Sequence, residues 1–496
     1  MSDQNNRFSS RLTFLLSALG IAIGTGNIWR FPRIVASNAG DEGAGAFLVA
    51  WITFLFLWSI PLIIVEYIMG RQSRMGTIGA FANFMGKPFA FLGGFVGFVS
   101  TAIAFFYSVI VGWNIYYFGA ITFNNLPQSY EASEILWKSF QGGSLPIFFH
   151  AIAMTIGGLA IYRGVSSIEK VNKVLIPVLL GIVILCVFRA VSLPGSFEGI
   201  SFLFTPDWSQ LKRPDIWVDA LAQNAFDTGA GFGLFLTYAI YMKKRYGIVK
   251  NAFTTAIGNN LVSMLAAIMI FSTAFSILGK DMGTEVIGGI IIKNQSDIIS
   301  LMKTSGPAAT GLTFIYMPLL FANMAFGKPL AILFFLGLSF AGFSSLISML
   351  ELAVRNLIDF GVKRSTAVMW IVGASFILGI PSAMSLEILS SQDFVWSVGL
   401  ILSGVLMAIA AIKYGLQRIV NEVSLDSKGD WPFPSIWWPF LIKYIVPIVG
   451  IVLVTWWMRE SPSFFVTCLT QWGIILIVFY MINGFMTKRF SNNINN

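Results

Sequence analysis

Apolar runs long enough to cross about 30 Å of hydrocarbon recur along the chain near residues 11–37, 46–70, 88–123, 147–162, 171–190, 215–242, 251–279, 328–358, 366–381, 393–415, 438–457 and 462–486. The pattern predicts an all-α polytopic membrane protein with twelve transmembrane helices. The longer polar connections are predicted outer loops at about 124–146, 191–214 and 280–327 and a cytoplasmic segment at 416–437. None is large enough to fold separately, so 1–496 reads as one domain. Within 280–327, the stretch from Gly311 to Phe321 is apolar but too short to span, and reads as an outer-loop helix dipping toward a vestibule.

Two of the apolar runs carry polar residues that a continuous span does not need. Gly20, Gly24 and Gly26 lie with Asn27, Arg30 and Arg33 inside the first. A continuous helix satisfies its own backbone, so these glycines predict a place where the chain unwinds and offers backbone groups to a ligand. A glycine-rich packing face is the alternative, but packing calls for neither Asn27 nor Arg30 at that depth. The run from Gln223 to Gly233 repeats the pattern five spans later, with Asp227, Gly229, Gly231 and Gly233. Two broken helices at equivalent positions point to an inverted-repeat transporter, with residues 11–190 and 215–415 as five-helix halves and 438–486 as two additional helices.

Composition sharpens this. The chain is 56% hydrophobic and 11% charged, which excludes a soluble domain. With the amino terminus inside, most Lys and Arg fall on the cytoplasmic side, including Arg71, Arg74, Lys244, Arg355, Arg364, Arg418, Lys428 and Arg489. The net charge of +9 is thus a topology signal and implies no nucleic-acid partner; both termini are expected in the cytoplasm. The run behind Arg7 and Arg11 has no cleavage site and continues into the glycines, so no removed signal peptide is expected. Short termini favour a prokaryotic plasma membrane. Cys186 and Cys468 sit in separate apolar runs, and His150 is the only histidine, so neither a disulfide nor a zinc site is expected; His150 reads as a helix-end residue. With no nucleophile–base pair in view, the chain is not read as an enzyme.

The motifs Gly24-Thr25-Gly26-Asn27-Ile28-Trp29-Arg30-Phe31-Pro32, Pro61 to Arg71 with Glu66, Tyr107 and Trp113, the broken run at 223–233, and Ala341-Gly342-Phe343-Ser344-Ser345 together resemble the neurotransmitter:sodium symporters, in particular their prokaryotic amino-acid members such as the bacterial leucine transporter. The resemblance covers nearly the whole chain and implies two sodium ions. One would be held by the Ala22 carbonyl, Asn27, Asn259, Asp227 and the substrate carboxylate; the other by the Gly20, Ile23 and Ala341 carbonyls with the Ser344 and Ser345 hydroxyls. It further implies that the substrate carboxylate meets the Thr25 and Gly26 amides and the Tyr107 hydroxyl, and that the ammonium meets the Ala22 and Phe226 carbonyls. The side-chain pocket would be lined by Thr25, Ile103, Phe226, Gly229, Phe232, Ser345 and Met349. Amine transporters of the family carry aspartate where this chain has Gly24, so an α-amino acid is favoured; the apolar lining, and Gly229 where relatives often have serine, favour neutral hydrophobic or aromatic side chains.

Asp227 departs from the family pattern, which usually has serine or threonine there. Chloride-independent bacterial relatives carry glutamate where this chain has Ser263, and the tyrosine that the family leads one to expect on the second helix is here Trp51, so the Asp227 carboxylate is read as a built-in replacement for chloride. By resemblance Arg30 and Asp393 would form the outer latch, under which Phe232 and Tyr107 close, and Asp359 the inner one, with Arg7 as partner or Arg11 as the alternative; relatives place that arginine a few residues earlier with a following tryptophan, where this chain has Asn5, Arg7 and Phe8. Glu66 is expected to accept hydrogen bonds from the unwound sixth span, and Glu351 has no role that the sequence argues. The reading is sodium-coupled, chloride-independent symport of neutral amino acids by alternating access, by a monomer or homodimer in the lipid bilayer. Proton coupling through Asp227 and a non-transporting sensor on the same scaffold are the alternatives.

Overall fold

The computed structural model describes residues 7–279, 286–287, 290–303, 311–425 and 429–494. Asn5 and Lys428 lie outside the described residues, as do parts of the 280–327 and 416–437 connections. Among the described residues, nine helices are long and apolar enough to cross a bilayer: Gly45–Ser73, Lys87–Phe123, Val165–Val191, Val249–Leu278, Gly327–Asp359, Arg364–Met384, Leu386–Tyr414, Trp437–Glu460 and Pro462–Lys488. Two bent pairs bring the number to eleven, Arg11–Ala22 with Gly26–Ser37 at 51° and Tyr130–Gln141 with Leu145–Ile161 at 71°. The remaining expected span is the pair Pro214–Thr228 and Leu234–Ala239, halves that the chain between them keeps apart. We number these segments as spans 1 to 12 in chain order, with Leu145–Ile161 as span 4. A two-residue antiparallel ladder, Val286–Ile287 with Ile290–Ile291, is the only strand pairing among the described residues.

Both breaks are written in local chemistry. Span 1 starts with a reciprocal cap, Ser10 Oγ accepting from the Thr13 amide at 3.2 Å and Thr13 Oγ1 from the Ser10 amide at 3.2 Å. Its first helix stops at Ala22, and after Ile23 and Gly24 the chain resumes as a π-turn over Gly26–Arg30. Span 6 ends its first half in left-handed backbone at Gly229, and Gly231 and Gly233 share that geometry, with φ of 68°, 94° and 80°. Side chains rarely adopt such angles, which is the physical reason for three glycines at alternate positions. Glu66 from span 2 accepts from the Gly231 amide at 2.7 Å and the Leu236 amide at 3.1 Å, so donors freed by the break are satisfied by one buried carboxylate, as expected for Glu66.

The connections also carry helices. Leu312–Tyr316 and Met317–Ala322 are helical as expected, and Phe314 packs against Trp113 at 5.8 Å, Trp137 at 5.2 Å and Trp29 of span 1 at 6.2 Å. Thr77–Met85 is a helix the apolar pattern missed, because it is shorter than a span and follows span 2 directly. His150 is not at a helix end: it sits inside span 4, fully buried, its ring stacked 5.1 Å from Phe376 and its Nε2 3.1 Å from the Phe376 carbonyl oxygen. At the end of the bundle near Phe8, Arg71, Arg74, Lys244 and Arg418 surround one cleft with Glu422.

Candidate functional site

The two breaks face each other across a cavity. Its wall includes Ala22, Thr25, Gly26, Ile103, Tyr107, Phe226, Gly229, Phe232, Ser345 and Met349, together with Asn27, Asp227, Arg30 and Asp393. Trp29, Phe106, Ile110, Leu234 and Leu389 also line it and were not picked out from the sequence. For Phe106 and Ile110 the signal was available, since each is three residues from Ile103 or Tyr107 on one helix.

Gly24 lies where three spans converge. A methyl group built on it would come within 2.9 Å of Ser345 Oγ and 3.1 Å of the Tyr107 hydroxyl, so only glycine leaves that space open. The Tyr107 oxygen accepts from the Thr25 amide at 3.2 Å and from Thr25 Oγ1 at 3.2 Å. Backbone donors at a helix start, with a phenol beside them, suit a carboxylate. Phe226 and Phe232 meet edge to face at 6.2 Å, and the Arg30 guanidinium lies 4.4 Å from the Phe226 ring centre.

Behind the cavity lies an oxygen-rich cluster. Asn27 Oδ1 accepts from the Gly24 amide at 2.8 Å, which fixes the Asn27 amide orientation and turns its nitrogen toward Asn259 Oδ1 at 2.8 Å and Ser263 Oγ at 2.7 Å. That same Asn259 head atom lies 3.1 Å from the Ala22 carbonyl oxygen and 3.0 Å from the Asp227 carbonyl oxygen. Turning the Asn259 amide over would satisfy both carbonyls but set nitrogen against nitrogen at Asn27. The Asn259 amide thus meets the Asn27 amide and two backbone carbonyl oxygens, of Ala22 and Asp227, within 3.1 Å, and such carbonyls are ready ligands for a bare cation. The Asp227 carboxylate borders this cluster, accepting from Gln223 Nε2 at 2.7 Å and from Ser263 Oγ at 3.1 Å.

The second predicted set is partly assembled. Ser344 Oγ donates to the Ile23 carbonyl at 3.1 Å and the Ala341 carbonyl at 2.8 Å, and the bare side of Gly20 faces Ser344. Ser345 Oγ points elsewhere, donating to the Ile21 carbonyl at 3.3 Å. Asn27, expected to offer its oxygen, instead gives that oxygen to the Gly24 amide and turns its nitrogen to the cluster; the other groups of both sets are oxygens, mostly uncharged, which fits a monovalent hard cation and suits no thiophilic metal.

Of the expected gate residues, Arg30 and Asp393 share the cavity wall without an ion pair between them; Asp393 accepts from Ser397 Oγ at 3.3 Å. A further cleft, lined by Arg30, Asp219, Asp393 and Trp457, continues outward from them. At the other end Asp359 pairs with Arg355 at 2.7 Å and accepts from the Gly76 amide at 2.5 Å. Arg355, one turn back on the same helix, was not foreseen as its partner; Arg11 instead donates to Asn251 Oδ1 at 3.1 Å. Glu351, left without a role by the sequence, is fully buried, ion-paired with Arg364 and bonded to the Tyr241 hydroxyl at 2.7 Å. Phe8 closes this end. Its ring is buried 5.3 Å from Phe14 and 6.0 Å from Tyr238, its amide donates to the Tyr241 carbonyl at 3.2 Å, and Tyr246 donates to its carbonyl at 3.2 Å.

Comparison with known proteins agrees with this geometry. The model of the sodium:neurotransmitter symporter family matches residues 5–139 and 145–488. The chain is 32% identical to an uncharacterised sodium-dependent transporter of Methanocaldococcus jannaschii, over 90% of this chain and 89% of that one. It is 25% identical to a sodium-dependent neutral amino acid transporter of Rattus norvegicus, over 94% of this chain and 87% of that one. The crystal structure of MhsT in complex with L-phenylalanine superposes with a TM-score of 0.75 at 29% identity, covering 90% of this chain and 98% of that one. The cavity between two broken helices, the oxygen-rich clusters beside it and the match along nearly the full chain lead to one conclusion: this multi-pass membrane protein is a sodium-dependent transporter belonging to the sodium:neurotransmitter symporter family.

Proposed function

We propose that the protein imports neutral hydrophobic or aromatic L-amino acids with two sodium ions and without chloride, and that the Phe8 end faces the cytoplasm of a prokaryotic cell. The observation that carries the reading is the convergence of the Asn259 amide with the Ala22 and Asp227 carbonyl oxygens directly behind the Thr25 and Tyr107 pair. In that arrangement the substrate carboxylate completes the first cation shell, so amino acid and ion bind together. Ile103, Phe106, Phe226, Phe232 and Met349 give the rest of the cavity an apolar wall, and the fold neighbour MhsT was crystallised with L-phenylalanine. Asp227 supplies the negative charge that would otherwise come from an anion. The repeat boundaries at 11–190 and 215–415, with 438–486 outside them, belong to the same reading.

Uptake of labelled phenylalanine and leucine into proteoliposomes, with sodium or potassium and with chloride or gluconate outside, tests it. Uptake that needs sodium and ignores chloride is expected. Uptake driven by a pH gradient without sodium would assign Asp227 to protons and refute the coupling proposed here.

Gly24 offers a sharper check. Gly24→Ala places a methyl 2.9 Å from Ser345 Oγ, and is expected to weaken phenylalanine binding about tenfold. Gly24→Asp sets a carboxylate where the substrate's own belongs and is expected to abolish amino-acid binding, as read by scintillation proximity.

A further inference from the structure

One buried polar ring lies outside the cavity and both ion clusters, and the symport reading gives it no part. His150 of span 4 is fully buried, with its Nε2 3.1 Å from the Phe376 carbonyl oxygen of span 9 and its ring stacked on the Phe376 ring. A carbonyl can only accept, so Nε2 carries the hydrogen. Nδ1 makes no hydrogen bond, although the Ser108 backbone of span 3 approaches the ring. A leucine would fill this place without leaving a polar atom unmet, so the bond to Phe376 is what the ring adds to the packing.

Two glycines bring three spans onto this ring. A methyl group built on Gly379 would come within 2.4 Å of the Phe105 carbonyl oxygen and 2.6 Å of His150 Nε2, and one built on Gly112 within 2.9 Å of the His150 backbone nitrogen. Neither position has room for a side chain, so spans 3, 4 and 9 meet closely around His150. Span 3 leads from there to the cavity. Ile103, Phe106, Tyr107 and Ile110 line the cavity from one face of that helix, while Phe105, Ser108 and Gly112, three and four residues apart, lie on the face that meets spans 4 and 9. His150 is thus on the far side of the helix that holds the Tyr107 hydroxyl against the Thr25 amide.

We propose that His150 is a positioning residue for amino-acid binding: by tying span 4 to the Phe376 carbonyl behind span 3, it fixes where Tyr107 presents its hydroxyl to the substrate carboxylate. The proposal rests on the symport reading and extends it to a residue that touches neither substrate nor ion. Tyr107 reaches the Thr25 amide and hydroxyl at 3.2 Å, the long end of the hydrogen-bond range, so a shift of span 3 by a few tenths of an ångström is enough to lose both.

The test compares the full-length protein with His150→Leu, His150→Gln and Phe376→Leu, by scintillation proximity with labelled phenylalanine at saturating sodium and by thermal unfolding. Glutamine keeps an amide donor for the Phe376 carbonyl, whereas Phe376→Leu removes the stacked ring and keeps the carbonyl. His150→Leu is expected to weaken binding about tenfold and His150→Gln to stay within about threefold of wild type. Phe376→Leu is expected to lower the unfolding temperature and yet bind within about twofold of wild type. In a Tyr107→Phe background, where no hydroxyl remains to be placed, His150→Leu is expected to change binding less than about twofold. Wild-type binding in His150→Leu overturns the proposal, and so does a glutamine variant no better than leucine. An equal loss of binding in Phe376→Leu, or a tenfold loss that persists beside Tyr107→Phe, also overturns it, since either would make His150 a packing residue only. A wild type that binds leucine but not phenylalanine would refute the aromatic part of the substrate reading alone, and the same ratios read with leucine still decide the role of His150.

Discussion

Asp227→Asn is expected to raise the sodium concentration needed for substrate binding roughly a hundredfold, since a full charge a few Å from a cation in a partly desolvated site is worth about 3 kcal/mol. The substitution keeps the shape and the hydrogen bond with Ser263, at 3.1 Å in the wild type, and removes the charge. Asp227→Ser gives the more specific outcome. With serine at 227 and serine already at 263, the site has hydroxyl donors and no fixed negative charge, so transport is expected to return only when chloride is present. Uptake by the serine variant in chloride and in gluconate decides the matter: activity indifferent to the anion would show that the carboxylate does not stand in for one. A variant with unchanged sodium dependence but a lost response to pH would move Asp227 to proton coupling.

The breaks were legible because clustered glycines and polar side chains inside an apolar run weaken a continuous span and are useful only where the chain opens. Gly20 to Gly26 and Gly229 to Gly233 mark them to within a few residues, and the cavity forms between them. What the pattern could not supply was pairing across helices. Glu351 and Arg364 lie on spans 8 and 9, and they meet only because the chain reverses at Gly361, where φ is 85°. Nothing in the spacing of a glutamate and an arginine reveals that turn. Gly229 shows a different gap: its absent side chain reads as extra pocket volume, whereas the left-handed backbone, with φ of 68°, by itself favours glycine there.

The two ends of the bundle differ in a way that bears on the transport cycle. At the Phe8 end, the Phe8 backbone is tied to Tyr241 and Tyr246, the Ser9 amide to Glu169 at 3.2 Å, and Glu351 joins spans 6, 8 and 9 through Tyr241 and Arg364. At the other end Arg30 lies on the Phe226 ring instead of pairing with Asp393, and a cleft leads outward from both. The structure is therefore closed at the Phe8 end, while at the other end Arg30 and Asp393 are not paired with each other. An amino acid beneath Phe232 would let Arg30 exchange an aromatic face for a carboxylate, which links occupancy of the cavity to closure of the latch.

Glu66→Gln is expected to cost about 2–4 kcal/mol of stability and most of the transport activity. An interrupted helix inside a membrane strands backbone donors where water cannot reach them, and the break in span 6 and the half that follows it depend on the same side chain for one donor each, the Gly231 and Leu236 amides. Glutamine has one acceptor oxygen, so either the Gly231 or the Leu236 amide must face an NH₂ group, donor against donor. Glu66→Asp keeps the charge but not the reach, and is expected to fall between wild type and glutamine. Thermal unfolding in detergent and sodium-dependent phenylalanine binding measure the two effects separately. Because Gly229 and Phe232 line the cavity and lie in the segment that Glu66 holds, binding should fall even at temperatures where the variant is still folded. A glutamine variant that unfolds and binds as the wild type does would mean that the break is held by its glycine geometry alone. That outcome would remove Glu66 from the account of why span 6 can open at all.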